Sequence, residues 1–275
     1  MTRRRFYAPP EVFSPDGRSA HLSTEETRHL RDVLRLKTGD EIFVFDGAGK
    51  EFQGQLHTVA RDSTEVSVIK QVDPAQPESA LNLTLAIALL KGEKFDLVIQ
   101  KATELGVKRI IPLMTARADV RIKSDADTER KMMRWQRIAL EATKQCGRAR
   151  LMKIERPAMF SDLVRGGATD SSVGGDNASE DARAPVEDAL PNSDVRVMFA
   201  ERQGASLAEV LSDRNEQRQS VTALIGPEGG WADDEIDQAQ AAGWKIVTLG
   251  GRILRAETAA IVVVALIQHR FGDLK

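Results

Sequence analysis

The sequence predicts an α/β domain built on a mostly parallel sheet, preceded by a small β-rich module. From residue 80 onward, short apolar runs alternate with longer amphipathic segments, a pattern typical of parallel sheets covered by helices on both faces. Residues 1–72 instead hold closely spaced strand-like runs separated by tight turns, which favours a small barrel. Residues 73–79 contain two prolines and no periodicity, so they are predicted to be a linker between the domain 1–72 and the domain 80–275.

The first module is predicted to hold one helix and three strands. Ser23-Thr24-Glu25-Glu26 has the form of a capping box, which indicates a helix that runs through about Leu36. The strands are expected over 41–45, 51–60 and 64–69, with turns at Asp46-Gly47-Ala48-Gly49 and Arg61-Asp62-Ser63.

The second domain is predicted to alternate strands with helices. Because the strands of such a sheet are parallel, ligands are expected to bind beyond their carboxyl ends. Strands are expected over 81–90, 109–114, 195–200, 221–225 and 245–249, and helices over 95–105, 128–146, 233–242 and 257–270.

Charge is unevenly distributed along the chain. The formal net charge is −2, but residues 162–194 alone carry eight acidic residues and two arginines, which leaves +4 on the rest. Residues 91–160 carry seventeen Lys and Arg against nine Asp and Glu. A nucleic-acid partner is therefore compatible with the charge, although long helices also carry solvated Lys and Arg. Residues 166–194 are rich in Gly, Ser and Asp and are predicted to be a flexible acidic surface loop.

Composition excludes several classes of protein. One cysteine, Cys146, rules out an internal disulfide and fits the reducing cytoplasm. The four histidines are scattered, so no metal site is expected. The longest apolar run, Ala259–Ile267, is far shorter than the ~20 residues of a membrane span, and the basic N-terminus lacks the apolar region of a signal peptide.

Two glycine-rich segments are the strongest functional signal. Leu224–Gly230 and Leu249–Ala260 each lead from an apolar strand through a glycine turn into a helix. Glycine lets a ligand approach the main chain closely, yet neither segment has the P-loop or Rossmann pattern. Either segment alone could be an ordinary βα turn. Both together, with Arg255 and Glu257 beside the second, predict one small-ligand site.

Several motifs in their joint order carry a resemblance to a known family. They include Arg5-Phe6, Lys91-Gly92-Glu93-Lys94, 100–107, 145–148, the two glycine segments and 270–274. On these residues the chain resembles the SPOUT-class methyltransferases, and within them the ribosomal RNA small subunit methyltransferase E family. The resemblance implies an N-terminal PUA-like RNA-binding barrel, a C-terminal trefoil knot and a homodimer. It also implies methylation of a uridine N3 in small-subunit ribosomal RNA by S-adenosylmethionine (SAM).

The resemblance and the glycine segments together give candidate site residues. Uridine N3 must lose a proton before it accepts a methyl group, so a base and a cation are expected, namely Glu228 or Glu257 and Arg255. The alternatives are carboxylates placed at helix N-termini and an arginine in a salt bridge. The expected cofactor-binding residues are Leu224, Gly226, Pro227, Glu228, Gly229, Leu249, Gly250, Ile253, Leu254, Arg255, Thr258 and Ala259.

RNA contacts are expected on both domains, chiefly to phosphates. The candidates are Arg4, Arg5, Arg28, Arg31 and Arg35 in the first, with Lys91, Lys94 and Arg148 in the second. The chain departs from the family pattern at Gly251, where a proline is expected, and at Ala256, where threonine is common. Two other functions remain open: the same chemistry on another RNA position, and RNA binding without catalysis.

Overall fold

A computed structural model of the chain describes residues 3–165, 195–202, 204–211 and 220–275. The predicted acidic loop 166–194 lies outside the described residues. The chain forms two compact units, one of Met1–Glu78 with Arg137–Leu151 and one of Ser79–Gln136 with Met152–Lys275. The first unit thus includes a segment that the sequence placed in the second domain, and the predicted domain boundaries stay predictions.

The first unit is built on a five-stranded sheet that is curled into a half-barrel. All its strand pairs are antiparallel except the one between the first strand and the third. Two register irregularities between the fourth and fifth strands increase the local bend and twist. In sheet order the strands are β1 (Arg5–Tyr7), β3 (Glu41–Phe45), β4 (Glu51–Val59), β5 (Thr64–Val72) and β2 (Ser19–Leu22).

The helix predicted in this unit begins at the expected place. Helix α1 (Thr24–Arg28) is preceded by Ser23, whose hydroxyl accepts a hydrogen bond from the backbone N–H of Glu26 at 3.2 Å. A single π-helical turn over His29–Val33 continues it. Leu30 lies on its buried face and joins a core of apolar strand residues, so the helix closes one side of the curled sheet.

The sequence did not predict β1 or β2. Both lie at the edges of the sheet and are only three and four residues long. Such short strands carry too little alternation to be detected, and their partners, β3 and β5, are distant in sequence. Long-range pairing rather than local pattern defines them.

The second unit is an eight-stranded parallel sheet with helices. Its strands, in sheet order, are β11 (Ala205–Ser206), β13 (Lys245–Thr248), β10 (Val195–Phe199), β12 (Ser220–Ile225), β6 (Asn82–Ala88), β7 (Arg109–Met114) and β8 (Lys153–Ile154), with β9 (Ala158–Met159) also beside β7. The helices are α2 (Glu93–Glu104), α3 (Asp125–Cys146, whose last turns belong to the first unit), α4 (Phe160–Arg165), α5 (Leu207–Leu211), α6 (Asp233–Ala241) and α7 (Ala256–Phe271).

Burial explains why the central strands read as continuous apolar runs. All six residues of β12 are buried, and so are six of the seven residues of β6. Strands buried on both faces have no polar side to alternate with. Among the described residues, no helix has the length and hydropathy needed to cross a bilayer.

The strand order decides where a ligand can bind. β10 lies between β12 and β13, and all three run parallel. Their carboxyl ends, at Phe199, Ile225 and Thr248, therefore lie side by side at the same end of the sheet. Both predicted glycine segments begin at this end.

Candidate functional site

A cavity of about 620 Å³ opens at the carboxyl ends of β10, β12 and β13. Its volume is in the range of small-molecule sites, roughly 300–1,000 Å³. Both glycine segments line it, and so do the first turn of α7 and Lys94 from the first turn of α2. All of these residues belong to the second unit.

The first glycine segment is shaped by the tryptophan that follows it. The Trp231 indole N–H donates a hydrogen bond to the carbonyl oxygen of Phe199 at 2.8 Å. A Cβ on Gly226 would lie 2.8 Å from the Trp231 ring, closer than packing allows. Gly226 is therefore required by the packing of the cavity wall as well as by any ligand.

A second set of contacts joins this part of the cavity wall to the loop that follows β7. The buried carboxylate of Glu235 accepts hydrogen bonds from the backbone N–H groups of Ala116 at 2.9 Å and Ala232 at 3.0 Å. The Arg117 guanidinium donates to the carbonyl oxygen of Trp231 at 2.9 Å. The loop after β7 and the turn after β12 are thus held together.

The second glycine segment is open toward the cavity. Gly250 and Gly251 have φ values of +78° and +44°, and a Cβ on either would meet no atom within 4 Å. Ile253, on the cavity rim, is 79% exposed. An apolar side chain so exposed beside a cavity is suited to cover an apolar part of a ligand.

Among the described residues, the charged groups that line the cavity form one ion pair. The Lys94 ammonium contacts the Glu228 carboxylate, and both residues line the cavity. Lys91, just outside it, pairs with Asp119 at 2.8 Å. The hydrogen bond to Asp119 is the main cause of a raised pKa at Lys91, and the charge of Glu228 adds to it.

Three further charged residues line the cavity with exposed side chains: Glu201, Arg252 and Arg255. Within the described part of the chain, none of the three forms an ion pair. Two cations and one carboxylate are therefore available to a ligand. The alternative reading of Arg255, a salt bridge, finds no support among these residues.

Comparison with known proteins gives the family. Residues 77–268 match the family described as RNA methyltransferase domain, and residues 22–69 match the RNA methyltransferase PUA domain. A ribosomal RNA small subunit methyltransferase E from Synechocystis is 34% identical over 97% of this chain and 77% of its own length. This chain belongs to the ribosomal RNA small subunit methyltransferase E family.

Two solved structures are similar along their whole length. A methyltransferase from Legionella pneumophila in complex with its cofactor SAM has 30% identity and a TM-score of 0.81. A ribosomal RNA small subunit methyltransferase E from Neisseria gonorrhoeae bound to S-adenosylmethionine has 28% identity and a TM-score of 0.79. In both cases 100% of each chain is covered.

The cavity of this family member is lined by most of the predicted cofactor residues, with three exceptions. Leu224 is fully buried in β12, and Gly229 and Thr258 are not among the residues that line the cavity. Glu257, which was predicted as a catalytic residue, also does not line the cavity: it is only 8% exposed and has one carboxylate oxygen with no hydrogen-bond partner among the described residues. Those that do line it are Gly226, Pro227, Glu228, Leu249, Gly250, Ile253, Leu254, Arg255 and Ala259.

The sequence missed one wall of the cavity. Phe199, Ala200 and Glu201 line it at the end of β10, and Trp231 lines it after the first glycine segment. The strand over 195–200 was predicted, but no glycine motif follows it. Only the position of β10 between β12 and β13 brings its end to the site, and that order is not readable from sequence.

The predicted RNA-binding arginines differ in how available they are. Arg4 and Arg35 are exposed. Arg28 pairs with Asp62 at 3.3 Å. Arg31 is bound to Asp32 at 2.6 Å, a hydrogen bond that raises the pKa of Arg31. Both of these ion pairs are exposed, so phosphates could compete for the guanidinium groups.

Two other predicted RNA contacts serve the fold of the first unit. The Arg5 side chain is 5% exposed and pairs with the buried Glu51 at 3.1 Å. It also donates to the carbonyl oxygens of Thr143, Lys144 and Arg148 near the end of α3. Arg148 is likewise buried and pairs with Glu78 at 2.8 Å. Neither guanidinium is exposed enough to bind a phosphate.

Proposed function

We propose that this chain is a SAM-dependent methyltransferase that methylates N3 of a uridine in small-subunit ribosomal RNA. The observation that carries the proposal is the cavity at the ends of β10, β12 and β13. Both glycine segments line this cavity. A family member from Neisseria gonorrhoeae that is similar over the full length of this chain has been solved with SAM bound. We also propose a cytoplasmic location, which an RNA substrate of this kind supports.

The residues of the cavity fit SAM. Gly250 and Gly251 leave open space where other residues would place a Cβ. Leu249, Ile253 and Leu254 supply apolar side chains for an adenine ring, and carboxylates complement the positive charge of the cofactor. When bound, SAM supplies a methyl group on a positively charged sulfur, so the protein must chiefly align the acceptor and move one proton.

Of the two predicted carboxylates, Glu228 fits the role of proton acceptor. It lines the cavity with a side chain that is 30% exposed, whereas Glu257 is buried away from the lining. Arg255 is suited to stabilise charge on a uracil oxygen because its fork of donors reaches the cavity without a competing ion pair. Glu257 stands in the first turn of α7, where its negative charge would stabilise the N-terminus of the helix.

RNA is proposed to be held by exposed basic residues of the half-barrel, chiefly Arg4, Arg28, Arg31 and Arg35. A PUA-type match over residues 22–69 supports this placement. Because phosphate contacts dominate such binding, the residues position the RNA and leave base selection to the cavity.

A trefoil knot is proposed for the second unit. The last strand, β13, lies between β10 and β11 rather than at a free edge, which supports a threaded chain end. An experimental chain trace through residues 195–271 tests this proposal.

A homodimer is proposed through α7. Leu266 is 41% exposed, and Ile261, Val262 and Ala265 beside it are only partly buried. An apolar helix face left open in this way favours a partner. Sedimentation should give a dimer for the wild type and a monomer for Leu266→Glu. The control Ile69→Glu, at an exposed apolar residue of β5, should stay dimeric.

Mapping the modified nucleotide tests the function directly. Ribosomal RNA or small subunits lacking the modification are incubated with the protein and SAM, and the products are digested and sequenced by mass spectrometry. We expect one added methyl group on N3 of one uridine. A methyl group elsewhere would indicate the same chemistry on another position, and SAM binding without transfer would indicate a non-catalytic relative.

A further inference from the structure

We infer that Lys94 is a catalytic cation whose ammonium leaves the Glu228 carboxylate for a uracil oxygen as the N3 proton moves to Glu228. The inference rests on the proposed function and adds to it a second cation. The N3 anion shares its charge between the two carbonyl oxygens that flank N3. Arg255 can serve one of these oxygens, and Lys94 serves the other.

The position of the pair is the first support. Among the ion pairs of the described residues, Lys94–Glu228 is the one whose two partners both line the cavity. The two residues come from different elements, the first turn of α2 and the turn after β12. The pair therefore faces the cavity in which the proposed reaction takes place.

The exposure of the pair is the second support. The side chains of Lys94 and Glu228 are 38% and 30% exposed, so the pair contributes little to the free energy of folding. The turn that carries Glu228 is closed by its own backbone hydrogen bond, from the N–H of Gly230 to the carbonyl oxygen of Pro227 at 3.0 Å. Separating the two side chains would therefore cost the fold little.

The charges balance through the proposed step. The N3–H bond breaks, an O–H bond forms on Glu228, and the electron pair stays on the uracil ring. Glu228 becomes neutral at the moment when the ring becomes negative, so Lys94 exchanges one anionic partner for another. No unpaired charge is created in the cavity, where such a charge would be costly. The N3 electron pair then accepts the methyl group.

The first test replaces the ammonium. With saturating SAM and RNA, Lys94→Gln should lower the single-turnover rate by about 100-fold, as loss of one oxyanion-stabilising group does. SAM affinity should change little. Lys101→Gln is the matched control, because Lys101 also lies on α2 and pairs with a glutamate, Glu104 at 2.8 Å, away from the cavity. It should react at the wild-type rate.

The second test changes the acidity of N3. Fluorine at uracil carbon 5 withdraws electrons and stabilises the N3 anion, so RNA transcribed with 5-fluorouridine depends less on a protein cation. The rate defect of Lys94→Gln should shrink at least tenfold on this RNA. Lys94→Arg, which keeps the positive charge, should retain more activity than Lys94→Gln on ordinary RNA.

Two results would overturn the inference. One is a normal saturated rate for Lys94→Gln with weaker RNA binding, which would make Lys94 a phosphate contact. The other is an equal defect on uridine and 5-fluorouridine RNA, which would make it a structural residue. Failure of the proposed function looks different, because the wild-type protein itself would then not methylate uridine N3.

Discussion

At the scale of single residues, two glycines share a backbone conformation but differ in surroundings. Gly250 has φ +78° and Gly243 has φ +81°, and a Cβ on either would meet no atom within 4 Å. Gly250 lines the cavity, whereas Gly243 follows α6 and does not. Gly250→Ala should weaken SAM binding at least tenfold, since its methyl group would occupy space that the cofactor needs.

The matched variant separates this effect from backbone strain. Both substitutions place alanine at a positive φ, which costs roughly 1–2 kcal/mol of stability. Gly243→Ala should therefore be destabilised to a similar degree but bind SAM normally in calorimetry. Equal affinities for the two variants would move the cofactor away from the second glycine segment.

Arg255 and Glu257 stand two residues apart but should behave differently. Arg255 is exposed in the cavity, and Glu257 is buried outside its lining. Arg255→Ala should lower the single-turnover rate far more than SAM affinity, because a contact made in the transition state is lost. Glu257→Gln should leave the shape of the pH–rate profile unchanged. A flattened profile for Glu257→Gln would make Glu257 the base in place of Glu228.

The sequence identified these residues as candidates, but it did not show which of their side chains reach the cavity. Glycine turns after apolar strands are a local signal, so the sequence alone predicts both segments. Whether Glu257 points into the cavity depends on the rotation of α7, and the pairing of Lys94 with Glu228 joins residues far apart in the chain. Neither fact has a local signature.

At the scale of elements, one buried ion pair holds α1 against the end of α3 in the first unit. The Lys144 ammonium contacts the Glu26 carboxylate, and both side chains are largely buried. Lys144→Met should destabilise the unit by about 3 kcal/mol, because it leaves a buried carboxylate without its partner. Native-state hydrogen exchange of amides in β4 measures this free energy. Arg137→Met, on the same helix and in the same unit, should cost less than about 1 kcal/mol because its ion pair with Glu25, at 3.9 Å, is exposed.

The pH dependence of this variant follows from the carboxyl group. Burial raises the pKa of Glu26 above 4.5, and the hydrogen bond from Lys144 offsets only part of that shift. Without Lys144 the pKa rises further. A carboxyl whose pKa is raised by folding stabilises the fold at low pH and loses this effect as the pH increases. The penalty of Lys144→Met should therefore be largest at neutral pH and shrink toward pH 4.5. A penalty independent of pH would contradict the assignment.

Elements with a strong period were predicted well, and elements held by distant partners were not. The strand over 109–114 was predicted with its observed bounds, and α7 was predicted within one residue at each end. By contrast, α4 and α5, of six and five residues, escaped detection because they are too short to show a helical period.

At the scale of the whole molecule, RNA affinity should depend steeply on salt. Each phosphate contact adds roughly 0.7 to the slope of log affinity against log salt for single-stranded RNA. Arg4→Gln and Arg35→Gln should each weaken binding and reduce this slope by about that amount. Arg18→Gln, an exposed arginine of the same unit, is the control. Filter binding across a salt series measures all four proteins, and an unchanged slope would remove these arginines from the RNA surface.

The two compact units also change how the first domain should be tested. A deletion of residues 1–72, the domain predicted from the sequence, would cut through the first unit, because Arg137–Leu151 belongs to it as well. Such a deletion would remove Glu26, the buried partner of Lys144. It would also remove Arg5, which donates hydrogen bonds to backbone carbonyl oxygens near the end of α3. Surface substitutions are therefore the cleaner experiment. This grouping joins segments far apart in the chain, so no linker composition could have revealed it.

Trp231 gives the protein an optical reporter. Its indole forms part of the cavity wall and is fixed by the hydrogen bond to Phe199, while Trp135 and Trp244 lie elsewhere in the core of the second unit. With those two changed to phenylalanine, the emission would come from a single fluorophore at the site. Cofactor entry and product departure could then be followed in real time by stopped-flow, without a radioactive methyl group or a labelled RNA.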